Sequence, residues 1–142
     1  MRCAIGADDT GPLTDALLDE LERRGIEVER LGALQARENR EWASIGRAVG
    51  ERVAHGDADV GIVCCWTGTG ISIAANKVRG VRAALCGDAA TAEGARRWND
   101  ANVLALSLRA TSPAVGREIL AAFLATPASS DDADMRSIAA VE

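Results

Sequence analysis

Apolar positions recur along this chain in two alternating periods. Residues 2–6 (R-C-A-I-G) form a short apolar run that predicts a first strand. Pro12 then opens a segment in which Leu13, Leu17, Leu18 and Leu21 return at helical spacing, and Gly25 ends it. Residues 26–31 (I-E-V-E-R-L) alternate apolar and charged, which predicts a half-buried second strand. Trp42, Ile45, Val49 and Val53 form the inward stripe of a second helix that closes at Gly56. Residues 60–64 are a continuous apolar run, a third strand, and residues 71–77 start a helix after a glycine-rich turn. Residues 80–86 predict a fourth strand. Asp88 then caps a helix reaching about Trp98, and residues 101–106 predict a fifth strand. Ser112 or Thr111 caps a helix with Pro113 at its first position and Val115, Ile119, Leu120 and Phe123 inward. Pro127 ends it, and Ser130 or Asp131 opens a short last helix.

Five strands alternating with helices predict an α/β fold with a five-stranded parallel sheet and helices on both faces. In such a sheet, ligands bind beyond the carboxyl ends of the strands. Three loops meet that description: residues 7–11, 65–70 and 87–88.

Composition narrows the function classes. The 142 residues predict one domain, and 48% apolar content predicts a globular, soluble one. No apolar run approaches the roughly 20 residues of a membrane span, and the N-terminus lacks a signal-peptide pattern. A net charge of −5 argues against a nucleic-acid partner but leaves room for a phosphate ligand, since a few local arginines suffice. Cys3, Cys64, Cys65 and Cys86 carry no C-x-x-C spacing, and His55 is the only histidine, so neither a zinc site nor a disulfide framework is expected. A reduced, cytoplasmic setting follows. His55 falls at a predicted helix C-terminus, a structural position, so any catalysis here runs on Cys, Asp, Glu, Lys or Arg.

The stretch V-G-I-V-C-C-W-T-G-T-G-I-S-I-A-A-N-K-V, residues 60–78, is the centre of the chain. A strand feeding a helix through Gly68 and Gly70 makes a cup whose backbone N–H groups favour an anion or a developing oxyanion. Cys65 sits at its lip, where the helix dipole favours thiolate. C-W-T-G-T-G is neither a Walker A motif nor G-x-G-x-x-G, and taken by position alone Cys65 is equally a small buried residue. Asp8 and Asp9 follow strand one; they either bind sugar hydroxyls or a proton, or form an Asx turn. Arg109 either meets an anion or is a solvated surface residue. Asn99 and Asp100 read as a turn, and Trp98 as core.

Gly6, Asp8, C-W-T-G-T-G, I-S-I-A-A-N-K-V-R-G-V-R-A-A-L-C and W-N-D-A-N-V-L-A-L together resemble the ribose-5-phosphate isomerase B family, which includes the galactose-6-phosphate isomerase subunits. The resemblance runs from Arg2 to about Phe123. It implies a Rossmann-like α/β/α sandwich, a homodimer or dimer of dimers with active sites at the subunit interface, and no metal or organic cofactor. It implies aldose–ketose isomerisation of a sugar phosphate through an enediolate. Cys65 matches the base of the family's cysteine branch; the other branch uses glutamate at the position of Ile71. By the same resemblance Thr67 matches a hydroxyl that aids ring opening or holds substrate, and Asp8 and Asn99 match groups that bond substrate oxygens. The amides of Gly68, Thr69 and Gly70 would stabilise the enediolate, and Arg109 and Arg136 match retained arginines. Residues 128–142 are then a tail packing on the partner subunit.

The departures from the family pattern shape the expected substrate. Asp9 and Trp98 stand where the family usually has histidines, the second being its ring-opening group. Glu41-Trp42-Ala43 replaces Asp-Tyr-Pro, and Asp132 falls where a phosphate arginine is usual. Trp98 cannot shuttle protons, so it would shape the pocket, Asp9 would bind extra hydroxyls, and an open-chain or short substrate such as a tetrulose phosphate suits the chain. Arg37 or Arg40 is the candidate substitute for the lost arginine. The alternative is a sugar-binding family member with little or no isomerase activity.

Overall fold

The computed structural model describes residues 1–35 and 40–142. Each apolar run becomes one strand, and each amphipathic run becomes the helix that returns the chain to the amino edge of the sheet. The strands are β1 (Arg2–Ala7), β2 (Glu27–Gly32), β3 (Val60–Cys65), β4 (Ala83–Leu85) and β5 (Val103–Ser107). The helices are α1 (Pro12–Arg23), α2 (Trp42–Ala54), α3 (Thr69–Asn76), α4 (Ala89–Asn99), α5 (Pro113–Ala125) and α6 (Asp132–Ala139). The strands form one all-parallel sheet in the order β2-β1-β3-β5-β4.

Alternation along the strands feeds two apolar layers. Cys3, Ile5, Ile62, Cys64, Leu104 and Leu106 pack against α1, α4 and α5. Ala4, Val63, Cys65, Val103 and Ala105 pack against α2 and α3. Cys64 and Cys65 therefore point to opposite faces, as their adjacency predicts. Burial pushes the Cys3 thiol up to about 12 and raises that of Cys64 further, so both behave as core hydrophobes.

The predicted caps hold. Asp88, Ser112 and Asp131 accept hydrogen bonds from the backbone N–H groups of Thr91, Val115 and Ala133. Three details differ from expectation. Strand four covers Ala83–Leu85 only, because the Asn102 and Asn76 side chains bond the backbone amides of Arg82 and Ala83 in place of a strand neighbour. Trp42 is 46% exposed rather than inward, because it is the first residue of α2 and lies beyond the sheet edge. Trp98 is 55% exposed rather than core. Among the described residues no helix is long and apolar enough to cross a membrane.

The sheet order reverses at β1. The chain steps from β1 to β2 on one side and reaches β3 on the other. Loops after β1 and β3 therefore leave from neighbouring strand ends, where Ala7 pairs with Cys64 and the Asp8 amide donates to the Cys64 carbonyl at 3.3 Å. That is the switch point where α/β sheets hold ligands.

Candidate active site

Cys65 is the last residue of β3 and is 5% exposed. Its carbonyl accepts from the Gly68 amide at 3.2 Å and the Leu108 amide at 2.9 Å, which ties the turn to the loop after β5. Gly68 takes a left-handed conformation, with φ of 76°. A Cβ there would lie 2.5 Å from a Leu85 methyl and 2.9 Å from the Leu106 carbonyl group. Glycine is required on both counts. The turn then enters α3, whose first amides, those of Thr69 and Gly70, have no carbonyl one turn earlier in the helix to bond. They remain available to an oxyanion. The Gly68 amide, expected to join them, is already donated to Cys65 within the turn.

Around this turn lies a cleft of about 270 Å³ lined by Asp8, Trp42, Cys65, Trp66, Thr67, Thr69 and Gly70. Thr67 and Thr69 share a hydroxyl–hydroxyl hydrogen bond of 2.7 Å. Asp8 is half-buried, and its buried Oδ1 has no hydrogen-bond partner among the described residues. Burial raises its carboxyl above the usual range, opposed by a hydrogen bond to its own backbone amide; Asp9 adds to the rise and Arg40 opposes it. Asp8 thus lines the cleft while its Oδ1 is closed off from solvent.

Asp9 sits outside the cleft lining and is exposed. It accepts from the amide of the next residue, Thr10, at 2.9 Å, not from two residues on as an Asx turn would, and from Arg40 at 2.8 Å, and these bonds hold its carboxyl below the usual range. Arg40 thus meets Asp9 in this chain, and Arg37 lies outside the described residues.

Arg109 lines a second cavity of about 540 Å³ with Thr67, Leu85, Cys86, Gly87, Ser107, Ala110 and Thr111. Thr67 belongs to both cavities, so they adjoin. The Arg109 guanidinium lies 5.9 Å from the Trp66 ring centroid, a cation–π stack. Cys86 is buried there, and its thiol is pushed up to about 11 by that burial and by Asp88.

Three expected site residues stand elsewhere. Trp98 and Asn99 end α4, which runs back to the amino edge of β5. In the register there, Gly61 pairs with Val103, whereas Cys65 pairs with Ser107. Four residues of parallel strand separate the two levels, about 13 Å. Asn99 instead lines a cavity with Asn76, Arg82, Ala83 and Val141. Arg136 is exposed on α6, which packs on α4, and the segment leading into α6 is tied to α4 by the Ser129 amide donating to the Arg97 carbonyl at 2.7 Å. Asp8, Cys65, Thr67, Thr69 and Gly70 are thus brought together, and Trp98, Asn99 and Arg136 are not. Trp42 and Trp66 are the cleft residues that sequence reasoning missed. The signal for Trp66 was its place inside C-W-T-G-T-G.

Residues 3–141 match the family model described as Ribose/Galactose Isomerase. The chain is 36% identical over 125 residues to the D-erythrulose-4-phosphate isomerase of Pectobacterium atrosepticum, covering 87% of this chain and 82% of that protein. It is 37% identical over 124 residues to the ribose-5-phosphate isomerase B of Escherichia coli, covering 87% and 83%. The type B ribose 5-phosphate isomerase structure of Trypanosoma brucei superposes with a TM-score of 0.90 at 42% identity, over 99% of this chain and 95% of that one.

Proposed function

The chain belongs to the Ribose/Galactose Isomerase family, and from that membership we propose that it interconverts an aldose phosphate and a ketose phosphate through an enediolate, with Cys65 as the base. The observation that carries this reading is the position of Cys65 beside the open amides of Thr69 and Gly70, in a cleft that Asp8 also lines. The Cys65 thiolate takes the C2 proton of the open-chain aldose. The C–H electron pair becomes the C1=C2 double bond, and charge collects on O1. The Thr69 and Gly70 amides stabilise that oxyanion. The hydroxyl proton passes from O2 to O1, and the Cys65 thiol returns its proton to C1 to give the ketose. Asp8 and Thr67 hold substrate oxygens. Protons alone are exchanged, so the reaction needs no external oxidant or reductant.

A four-carbon substrate suits this site. A tetrose with phosphate on O4 has no free hydroxyl placed to close a five-membered ring, so it needs no ring-opening group. Trp98 in place of a histidine is then no handicap. The relatives include isomerases named for both four-carbon and five-carbon phosphates.

We further propose that the working unit is a homodimer in which the partner copy brings Trp98, Asn99 and Arg136 to the cleft. The reason is their placement at the opposite edge of the sheet within one chain.

The test is NMR in deuterated water on four-, five- and six-carbon sugar phosphates. The expected result is deuterium uptake at C1 or C2 of a four-carbon member, lost by a factor of about 10³ or more in Cys65→Ala, with the fold retained. Undiminished uptake in Cys65→Ala would remove the thiolate mechanism. Binding of sugar phosphates without uptake would leave a sugar-binding member of the family.

A further inference from the structure

We propose that the Thr69 side chain is a further catalytic residue: with Thr67 it forms a two-hydroxyl relay that carries the proton from O2 to O1 of the enediolate. This rests on the aldose–ketose reading above and names the group for the one proton transfer that Cys65 does not perform.

Residues two apart in an extended chain stand about 6.6 Å from each other. The left-handed Gly68 between the two threonines, with its amide held by the Cys65 carbonyl, turns the chain so that their hydroxyls meet at 2.7 Å. Either hydroxyl can donate to the other. Both threonines are exposed, and both line the cleft with Cys65. Thr67 also lines the adjoining cavity of about 540 Å³, and Thr69 does not. The rest of a sugar phosphate hangs from C2, so the roomier side takes that end and Thr67 falls to O2. Thr69, whose amide faces O1 in the mechanism above, falls to O1.

Other routes for this proton are poorer. The indoles of Trp42 and Trp66 donate but do not accept, so no proton passes through them. Direct transfer between O2 and O1 closes a five-membered ring with a sharply bent O–H···O angle, and hydrogen bonds weaken steeply below about 120°. The two oxygens of a cis-enediolate stand at hydrogen-bond distance from each other, and so do the two threonine oxygens. Laid side by side, the four oxygens form a square in which the transfers run along nearly straight hydrogen bonds. The O2–H proton moves to Thr67 Oγ1, the Thr67 proton moves to Thr69 Oγ1, and the Thr69 proton moves to O1. Each threonine ends with one hydroxyl proton, as it began. The negative charge has passed from O1 to O2, whose lone pair then forms the C2=O bond while C1 takes the proton from Cys65. Asp8 is the one competing acid–base group in the cleft lining, and the experiment separates the two.

NMR in deuterated water reads two rates. Deuterium uptake at C2 of the recovered aldose needs only enediolate formation and its reversal. Conversion to ketose also needs the O2-to-O1 transfer. Erythrose 4-phosphate and ribose 5-phosphate are the substrates, and the wild type is compared with Thr69→Val, Thr69→Ser and Asp8→Asn. Valine keeps the branched shape of threonine and the amide of residue 69 while removing the hydroxyl. Thr69→Val is expected to slow conversion about 100-fold and to raise the ratio of uptake to conversion about 10-fold or more, because the enediolate still forms and returns. Thr69→Ser should restore the wild-type ratio. Equal loss of uptake and conversion in Thr69→Val overturns the relay, since Thr69 then only shapes the oxyanion turn. Loss of neither overturns it too, as does a Thr69→Ser protein that behaves like Thr69→Val. A raised ratio in Asp8→Asn with none in Thr69→Val overturns it in favour of the carboxylate. Neither uptake nor conversion in the wild type overturns the aldose–ketose reading and this inference with it.

Discussion

The turn after β3 and the junction before β5 are built in opposite ways. The turn is made of backbone: a left-handed Gly68, the carbonyl of Cys65 and the first amides of α3, with one thiol at its edge. Everything it offers is contiguous in sequence and lines the cleft, with Thr67 shared with the adjoining cavity. The junction is made of side chains. Asp100, itself left-handed, receives Arg82 at 3.0 Å and Arg96 at 2.9 Å. Arg96 also reaches the Ala101 carbonyl at 2.6 Å. Asn102 accepts from the Arg82 amide and donates to the Gly80 carbonyl, both at 2.8 Å. Yet this braced segment leaves Trp98 and Asn99 exposed. A rigid support under exposed residues suits the partner delivery proposed above, whereas the turn presents its groups to a cleft of its own chain. The comparison teaches that Cys65 and the open amides come together within one copy, whereas Trp98 and Asn99 reach that cleft only in the dimer proposed above.

The largest structural effect should come from the turn. Gly68→Ala places a Cβ against the Leu106 backbone in a left-handed conformation, and should cost about 2 kcal/mol of stability or more, read by urea unfolding. An unchanged midpoint would mean the turn relaxes freely and does not preorganise the amides. A smaller effect is expected at the junction. Asn102→Ala removes two hydrogen bonds that brace residues 80–82 and should cost about 1–2 kcal/mol. It should lower turnover through the placement of Trp98 and Asn99, measured in mixed and homogeneous dimers alike. Full stability with full turnover would show that the bracing has no bearing on the site.

The difference between the regions also explains what the sequence discloses. Caps at Asp88, Ser112 and Asp131 are local, one side chain reaching an amide two or three residues on, and they read directly. So does Cys65 at a strand end, because the apolar run and the two glycines are contiguous. Strand four read too long because its amides are taken by Asn76 and Asn102, one from a preceding helix and one 20 residues ahead. Trp42 fitted the inward stripe of α2 by period, but period says nothing about where the sheet ends, and its ring settles on Gly70 instead. The candidates at Trp98, Asn99 and Arg136 came from resemblance alone. Nothing local marks them: Trp98 and Asn99 end α4 at the sheet edge away from Cys65, and Arg136 is exposed on α6.

The most direct test of the account is complementation between the two regions. Cys65→Ala and Asn99→Ala protein, carrying different tags, are refolded alone and mixed. Asn99 is exposed and makes little contribution to the fold, so both parents should fold. If Cys65 of one copy works with Asn99 of the other, a hybrid dimer holds one site with neither substitution, and random mixing should restore about a quarter of the wild-type sites. The mixture would then exceed the mean of its parents. Turnover equal to that mean would contradict the account, because each site would then be the work of a single chain.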